Sequence, residues 1–557
     1  MTTKIPRRTF LKTGTALTFG LIACCSVKNS FDMIIKNGLI LDGTGSPPER
    51  KDIGIIRDKI AVIDTLNEVT ADEIIDAANL IVAPGFIDIH THTDIELIVN
   101  YRGESKIRQG VTTEVSGNCG SSPFPLNDAD YQEYDKQVFE QYGFHPTWRN
   151  IDQFLAVLEK QKIGINYATL TGHGDLRSFV IGRNDVPATP EQLGKMQAIL
   201  ADTIQNGSFG LSTGLEYAPG SYASTEELIA LCQIVAQYGA IHASHIRNED
   251  DRLEEAVEEA LKISEVTGAS LEIAHLKACN RANWPKIEKV LARIHQASEQ
   301  GIAVTADRYP YIAYGTGLSA FLPLWARQGN TNDIIARLTN PKDLPEIEKY
   351  ASGRGERIGG WDRVQISSCS KPENKNLEGK SILDAANERN LAPFEFIRQL
   401  LIDEKLQPGI VGFAMGEENL KKVLSDPLVM IGSDGRAVAP YDKTGTGKPH
   451  PRFYGTFPRV LGKYCRDEKY FDLATAIQKM TSMPAQKLGL KQRGQIARDY
   501  FADLVIFDRD KIIDQATFIN PHQYPIGIEY VIVNGQITIK KGMHTNVAAG
   551  KVLRKEI

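Results

Sequence analysis
Along the chain the apolar and polar positions keep two different rhythms. Between Phe31 and about Ala78, the stretches MIIKNGLILDGTG, DIGIIRDKIAVID and EIIDAANLIVAPG set short β-branched runs between Gly, Asn and Asp. That texture predicts short strands joined by turns. GQIARDYFADLVIFD (Gly494–Asp508) and IEYVIVNGQITIKKG (Ile528–Gly542) repeat it near the other end. The two chain ends, residues 30–83 and 490–557, are therefore expected to join into one small β-sandwich. In residues 84–489 the rhythm changes, and strand-length apolar runs alternate with helical stretches. TEELIALCQIVAQYG and DRLEEAVEEALKISEVTG, for example, carry apolar residues at helical spacing. Strands are expected to end near His90, Val115, His173, Ser212, His245, His275, Asp307 and Asp434. Eight such βα units predict an α/β fold, a closed (β/α)8 TIM-type barrel. The interval between the last two strands is far longer than one helix needs, which predicts an inserted subdomain over roughly residues 319–420.

Composition narrows the function. A chain of 557 residues, 42% hydrophobic, can bury a sizeable core and exceeds a typical single domain. A net charge of −5 argues against a nucleic-acid partner, because phosphate contacts need a basic excess. No apolar span is long enough to predict a membrane-crossing helix. Seven scattered cysteines, an odd number, do not make a disulfide framework.

The first residues stand apart. Pro6-Arg7-Arg8-Thr9-Phe10-Leu11-Lys12 precedes a run of small, weakly apolar residues from Thr13 to Ala23, which ends at Cys24. The arrangement resembles a twin-arginine export signal, and Leu21-Ile22-Ala23-Cys24 resembles a bacterial lipobox. Residues 1–25 are thus expected to be a signal, Cys24 a lipid anchor, and the mature protein periplasmic or membrane-anchored.

Candidate chemistry gathers at the strand ends. In PGFIDIHTHTD (Pro84–Asp94), His90 and His92 alternate with Thr91, so in a strand both point to one face. They fall at the C-terminal end of that strand, where barrel enzymes keep their active sites. A lone H-x-H is weak, but His245 in AIHASHIRNE, His275 in SLEIAHLK and Asp434 in LVMIGSDG occupy corresponding places. Cys119, in TTEVSGNCG, follows another strand. Of 11 histidines in the chain, four belong to this set. Imidazole and thiolate are good zinc ligands, and a carboxylate completes a site with room for water. His173 in TLTGHGDLR reads equally well as a ligand or as a satisfied polar group.

His90, His92, His245, His275 and Asp434, in that order, resemble the amidohydrolase superfamily. The segments GNCGSSPFP, GLSTGLEYAPG, ASHIRNE, AHLKAC, DRYPY, GSDG and PHPRFYGTFPRVLG resemble its N-acyl-D-amino-acid deacylases, or D-aminoacylases. The likeness extends from the first β segment to FADLVIFD. It implies a tight zinc site of Cys119, His245 and His275, the cysteine standing where many relatives carry a carboxylated lysine. It implies a second, weaker metal site of His90, His92 and Asp434, with Asp434 also the general base and acid. Lys277, Tyr309 and Arg452 resemble the family's clamp on the amino acid's carboxylate. The implied reaction is zinc-dependent hydrolysis of N-acyl-D-amino acids, releasing a D-amino acid and a carboxylic acid. The alternative is another amidohydrolase reaction on the same metal site, such as opening of a cyclic amide. One departure falls after the seventh strand, where the family's YPYxAGST reads Tyr309-Pro310-Tyr311-Ile312-Ala313-Tyr314-Gly315-Thr316, with a bulky Tyr314.

Overall fold
The computed structural model describes residues 30–67 and 69–557; the expected signal, residues 1–25 with Cys24, lies outside the described residues. The middle of the chain closes on itself. Strands run Phe86–Asp88, Val111–Ser116, Asn166–Thr169 (continued by Thr171–Gly172), Gly210–Gly214, Ile241–His245, Ser270–Ile273, Val304–Arg308 and Val429–Ile431. Each pairs in parallel with the next. The ring shuts just past the first and eighth strands, where Thr91 bridges Gly435 in parallel. There the Asp434 N–H donates to the His90 carbonyl at 2.8 Å, and the His92 N–H to the Gly435 carbonyl at 2.9 Å. This is the (β/α)8 barrel that the alternation predicts.

The crossover helices form where their patterning places them. Helix Thr225–Gln237 is capped by Ser224, whose hydroxyl accepts from the Glu227 N–H, and it buries Leu228, Leu231 and Val235. Helix Leu253–Thr267 buries Leu253, Val257 and Leu261 against the barrel and stops at Gly268, whose φ of 75° suits glycine. Each such side chain contributes about 1.5–3 kcal/mol by leaving water.

Both chain ends build the flanking β body. Ser30–Lys36, Asp52–Ile56, Lys59–Asp64 and Thr70–Asp76 form a four-stranded sheet. A seven-stranded sheet combines Ile81–Pro84 with Leu504–Phe507 in antiparallel pairing, and continues through Ile528–Val533 and Gln536–Lys540. Ile35, Ile53 and Val82 from one end pack with Leu504, Ile506 and Ile532 from the other. Between the seventh and eighth barrel strands lies a body with its own core. It has a three-stranded antiparallel sheet, Tyr314–Gly317, Gly409–Gly412 and Val364–Ser368, together with helices such as Leu344–Ile358 and Pro393–Asp403. Its sheet begins at Tyr314, upstream of Ser319, because Tyr314 pairs with Gly412. A Cβ at Gly412 would lie 2.4 Å from the Tyr314 ring, so the aromatic residue and the glycine fit as a pair. Among the described residues, no helix is long and apolar enough to cross a membrane.

Candidate metal centre
The strands deliver their side chains at one end of the barrel, but of the six only His245 lies within regular strand, and His90 and His92 follow one that ends at Asp88. His275 follows a strand that ends at Ile273, Asp434 one that ends at Ile431, and Cys119 one that ends at Ser116. Their φ values are 36°, 49° and 52°, left-handed backbone that is costly for residues other than glycine. Strain of this kind gathers at sites whose surroundings fix the geometry. One such surrounding is the fourth strand, where a Cβ at Gly214 would lie 2.0 Å from the Cys119 carbonyl oxygen. Only glycine lets the cysteine loop come so near.

All six expected ligands meet. His90 Nε2 lies 3.3 Å and His275 Nε2 3.4 Å from Cys119 Sγ. His92 Nε2 lies 3.0 Å and His90 Nε2 3.7 Å from Asp434 Oδ1. The His245 ring meets that of His275 edge to face at 4.6 Å between centroids. Donor atoms within 4.8 Å of one another fall into three groups: His90, Cys119 and His275; His90, His92 and Asp434; His245, Glu249 and His275. His90 and His275 therefore each belong to two groups.

Carboxylates behind two of these imidazoles orient them. Asp307 Oδ2 lies 2.9 Å from His90 Nδ1, and Glu249 Oε1 lies 3.0 Å from His275 Nδ1. Asp307 favours the His90 tautomer with Nδ1 protonated, which leaves the Nε2 lone pair aimed at the centre; His275 Nδ1 has both Glu249 and the Lys277 ammonium, at 2.8 Å, as neighbours. Asp307 also accepts from the His275 N–H at 3.1 Å, so one residue anchors two of these histidines. The sequence marks Asp307 as a strand end but not as a partner of His90, and Glu249 carries no signal beyond its place in ASHIRNE.

The electrostatics suit a cation. Against burial, the charges of His90 and His275 hold the Cys119 thiol well below its ordinary value. Against burial, the Arg452 charge and a hydrogen bond from His92 hold the Asp434 carboxyl well below the carboxylate range. Burial opposes charge on His245 too, yet Glu249, Cys119 and Glu216 push it up to about 10. Protons there stand where a cation would, and metal binding releases them. Both ring nitrogens of His245 are buried without a hydrogen-bond partner, an arrangement that costs free energy unless something else ligates them. Imidazoles, a thiolate and a carboxylate in overlapping donor groups fit zinc.

The three expected substrate residues lie beside this centre. Arg452 opens the helix Arg452–Arg459, with Nη1 2.9 Å from Asp434 Oδ2 and its guanidinium 4.6 Å from the centre of the Tyr309 ring. The Tyr309 hydroxyl is buried without a partner. Lys277 lines the same cavity as Tyr309, His275 and Asp434. Its ammonium donates to Glu249 Oε1 at 2.5 Å and lies 2.8 Å from His275 Nδ1. His173 stays apart, with Nε2 2.9 Å from Glu227 Oε1 while Arg177 donates to the other oxygen at 2.5 Å.

Known proteins resemble this chain in sequence and in fold. The amidohydrolase family matches residues 73–302 and 380–539. An N-acyl-D-glutamate deacylase from Alcaligenes xylosoxydans xylosoxydans is 34% identical over 534 residues, covering 95% of this chain and 98% of the relative. The crystal structure of N-acyl-D-glutamate deacylase from Bordetella bronchiseptica, with zinc and a phosphonate mimic of the tetrahedral intermediate, superposes with a TM-score of 0.80 at 33% identity. That match covers 94% of this chain and 100% of the solved one. A D-aminoacylase, whose binuclear centre is described by one-metal activation and second-metal attenuation, gives a TM-score of 0.79 at 33% identity over the same shares.

Proposed function
We propose, from the premise that this chain belongs to the amidohydrolase family, that it is a zinc-dependent deacylase of N-acyl-D-amino acids. The gathering of Cys119, His245, His275, His90, His92 and Asp434 into overlapping donor groups, with Arg452 beside them, carries the reading. Cys119, His245 and His275 would hold the zinc that works, and His90, His92 and Asp434 a second, weaker metal. Zinc held there supplies Lewis acidity to the acyl carbonyl and to the attacking water.

The chain's own residues supply the rest. Asp434 is ionised at neutral pH, because Arg452 and His92 hold its carboxyl low against burial. As the carboxylate of this set, it would take a proton from water on its Oδ atoms and return it to the departing amine nitrogen, a role worth about 10²- to 10⁴-fold in rate. Arg452, Tyr309 and Lys277 surround the place where the substrate's α-carboxylate would sit, and a guanidinium fork suits a carboxylate. A cyclic amide lacks that free carboxylate, so the clamp favours linear N-acyl amino acids. Choice of the D series rests on the deacylase relatives. Export by residues 1–25 and lipidation at Cys24 rest on the Arg7-Arg8 pair and the apolar run that ends at Cys24.

The test is release of free amine by the zinc-loaded protein from matched N-acetyl-D- and N-acetyl-L-amino acids, with and without a chelator. Chelator-sensitive release from the D series alone is expected. Release from neither series, or chelator-resistant release, would refute the reading.

A further inference from the structure
Asp88 closes the first barrel strand, two residues before His90. Its carboxylate meets the ammonium of Lys106, with Nζ 2.8 Å from Oδ2, and both side chains are wholly buried. Burial pushes Glu114, a second carboxylate that feels the Lys106 charge, up to about 8, so at neutral pH Asp88 is left to balance the ammonium. Two charges taken out of water regain little stability from each other. The role of such a pair lies in what it fixes in place.

What this pair fixes is the loop that carries Asp434. The Ser433 N–H donates to Asp88 Oδ1 at 2.8 Å, and the Ser433 hydroxyl accepts from Lys106 Nζ at 2.6 Å. The same hydroxyl accepts from the Gly435 N–H at 3.0 Å. The residues on both sides of Asp434 are therefore tied to one ion pair. Lys106 belongs to the short helix Glu104–Ile107, which holds the next part of the loop as well. There the Ser105 N–H donates to the Val438 carbonyl at 2.9 Å, and the Ser105 hydroxyl to the Arg436 carbonyl at 3.0 Å. On the other flank the Ala437 N–H donates to the Thr93 hydroxyl at 2.9 Å, which donates in turn to Glu114. Between these ties Asp434 keeps its φ of 49°, with one carboxylate oxygen 3.0 Å from His92 Nε2 and the other 2.9 Å from Arg452 Nη1.

We propose that Lys106 is a positioning residue for Asp434: through Asp88 and Ser433 its ammonium holds the left-handed turn that aims the Asp434 carboxylate at the metal centre. The inference rests on the deacylase reading and deepens it. Backbone in that region persists only while its surroundings over-determine it. A displacement of about 1 Å at a reacting group can cost about 10²-fold in rate. Among the described residues, none of Cys119, His245 and His275 is bonded to Lys106, Asp88 or Ser433. The group expected to hold the tight zinc thus stays complete when the brace is cut.

The experiment measures kcat, KM, zinc content and thermal midpoint for the zinc-loaded full chain on whichever N-acetyl-D-amino acid it hydrolyses fastest. Lys106→Met should lower kcat by about 10²-fold with KM and zinc unchanged. Ser433→Ala, which keeps the ion pair and cuts the tie to Gly435, should lose a smaller factor in the same parameter. Lys479→Met is the control. Lys479 is as buried, but it donates to the Asp426 and Val429 carbonyls at the opposite end of the eighth strand. That variant should unfold sooner and keep its kcat. Unchanged kcat in Lys106→Met overturns the inference, as does an equal loss of kcat in Lys479→Met. Should Lys106→Met not fold, Ser433→Ala decides alone: a fall in kcat at constant KM supports the brace, and no fall overturns it. A wild type that hydrolyses no N-acyl-D-amino acid defeats the deacylase reading. The brace is then judged by crystal structures, in which Asp434 displaced from His92 in either variant supports it and Asp434 unmoved overturns it.

Discussion

His173 and His245 stand near the ends of the third and fifth barrel strands, both buried, and they have opposite partners. His173 has a carboxylate at 2.9 Å, braced in turn by Arg177, and only its Nδ1 is left without a partner. His245 has no hydrogen-bond partner at either nitrogen, and it faces a thiolate and a second imidazole. A buried imidazole tied to its own carboxylate is part of the scaffold. One left open toward other donor atoms is waiting for a ligand. Position on the barrel does not separate the two; the accounting of hydrogen bonds does.

Three experiments test that contrast. The largest effect is expected from His245→Asn, which should lose the tight zinc, measured by elemental analysis, and nearly all deacylase activity. Full zinc occupancy in that variant would place His245 with His173 as scaffold. Next, His173→Asn should retain its zinc but unfold more easily by about 1–3 kcal/mol, the cost of leaving a buried partner unsatisfied. Loss of metal from His173→Asn, read by the same elemental analysis, would erase the distinction. The smallest effect is a pH dependence. Burial opposes charge on Glu227, yet His173 and Arg177 outweigh it and hold the carboxyl below its ordinary 4.5. A lowered carboxylate contributes stability that is complete above the unfolded value and is lost as pH falls through the folded one. Wild-type stability should therefore slope downward below about pH 4.5, and His173→Asn should flatten that slope in denaturant titrations across the acid range.

The sequence exposes the barrel well, because parallel strands buried on both faces read as short apolar runs and their crossover helices as a different period. His90, His92, His245 and Asp434 are legible for the same reason, since a residue at the end of an apolar run has its place fixed by the run. What stays hidden depends on contacts between distant parts of the chain. Asp307 orients His90 across 217 residues, and Glu249 meets Lys277 across 28. No periodicity reports such pairings. The left-handed backbone at Cys119, His275 and Asp434 is equally silent, since these residue types do not demand it.

The pairing of Ile81–Pro84 with Leu504–Phe507 bears on how the protein is made. A ribosome delivers the first of these strands long before the second. Throughout that interval the early strand has an open edge, the kind of surface on which aggregation begins. Barrel strands can pair with their neighbours as they emerge, but the flanking body cannot close until the last stretch of chain arrives. Synthesis thus ends with the step that shields its earliest product, and a chain halted before Leu504 would keep that edge uncovered.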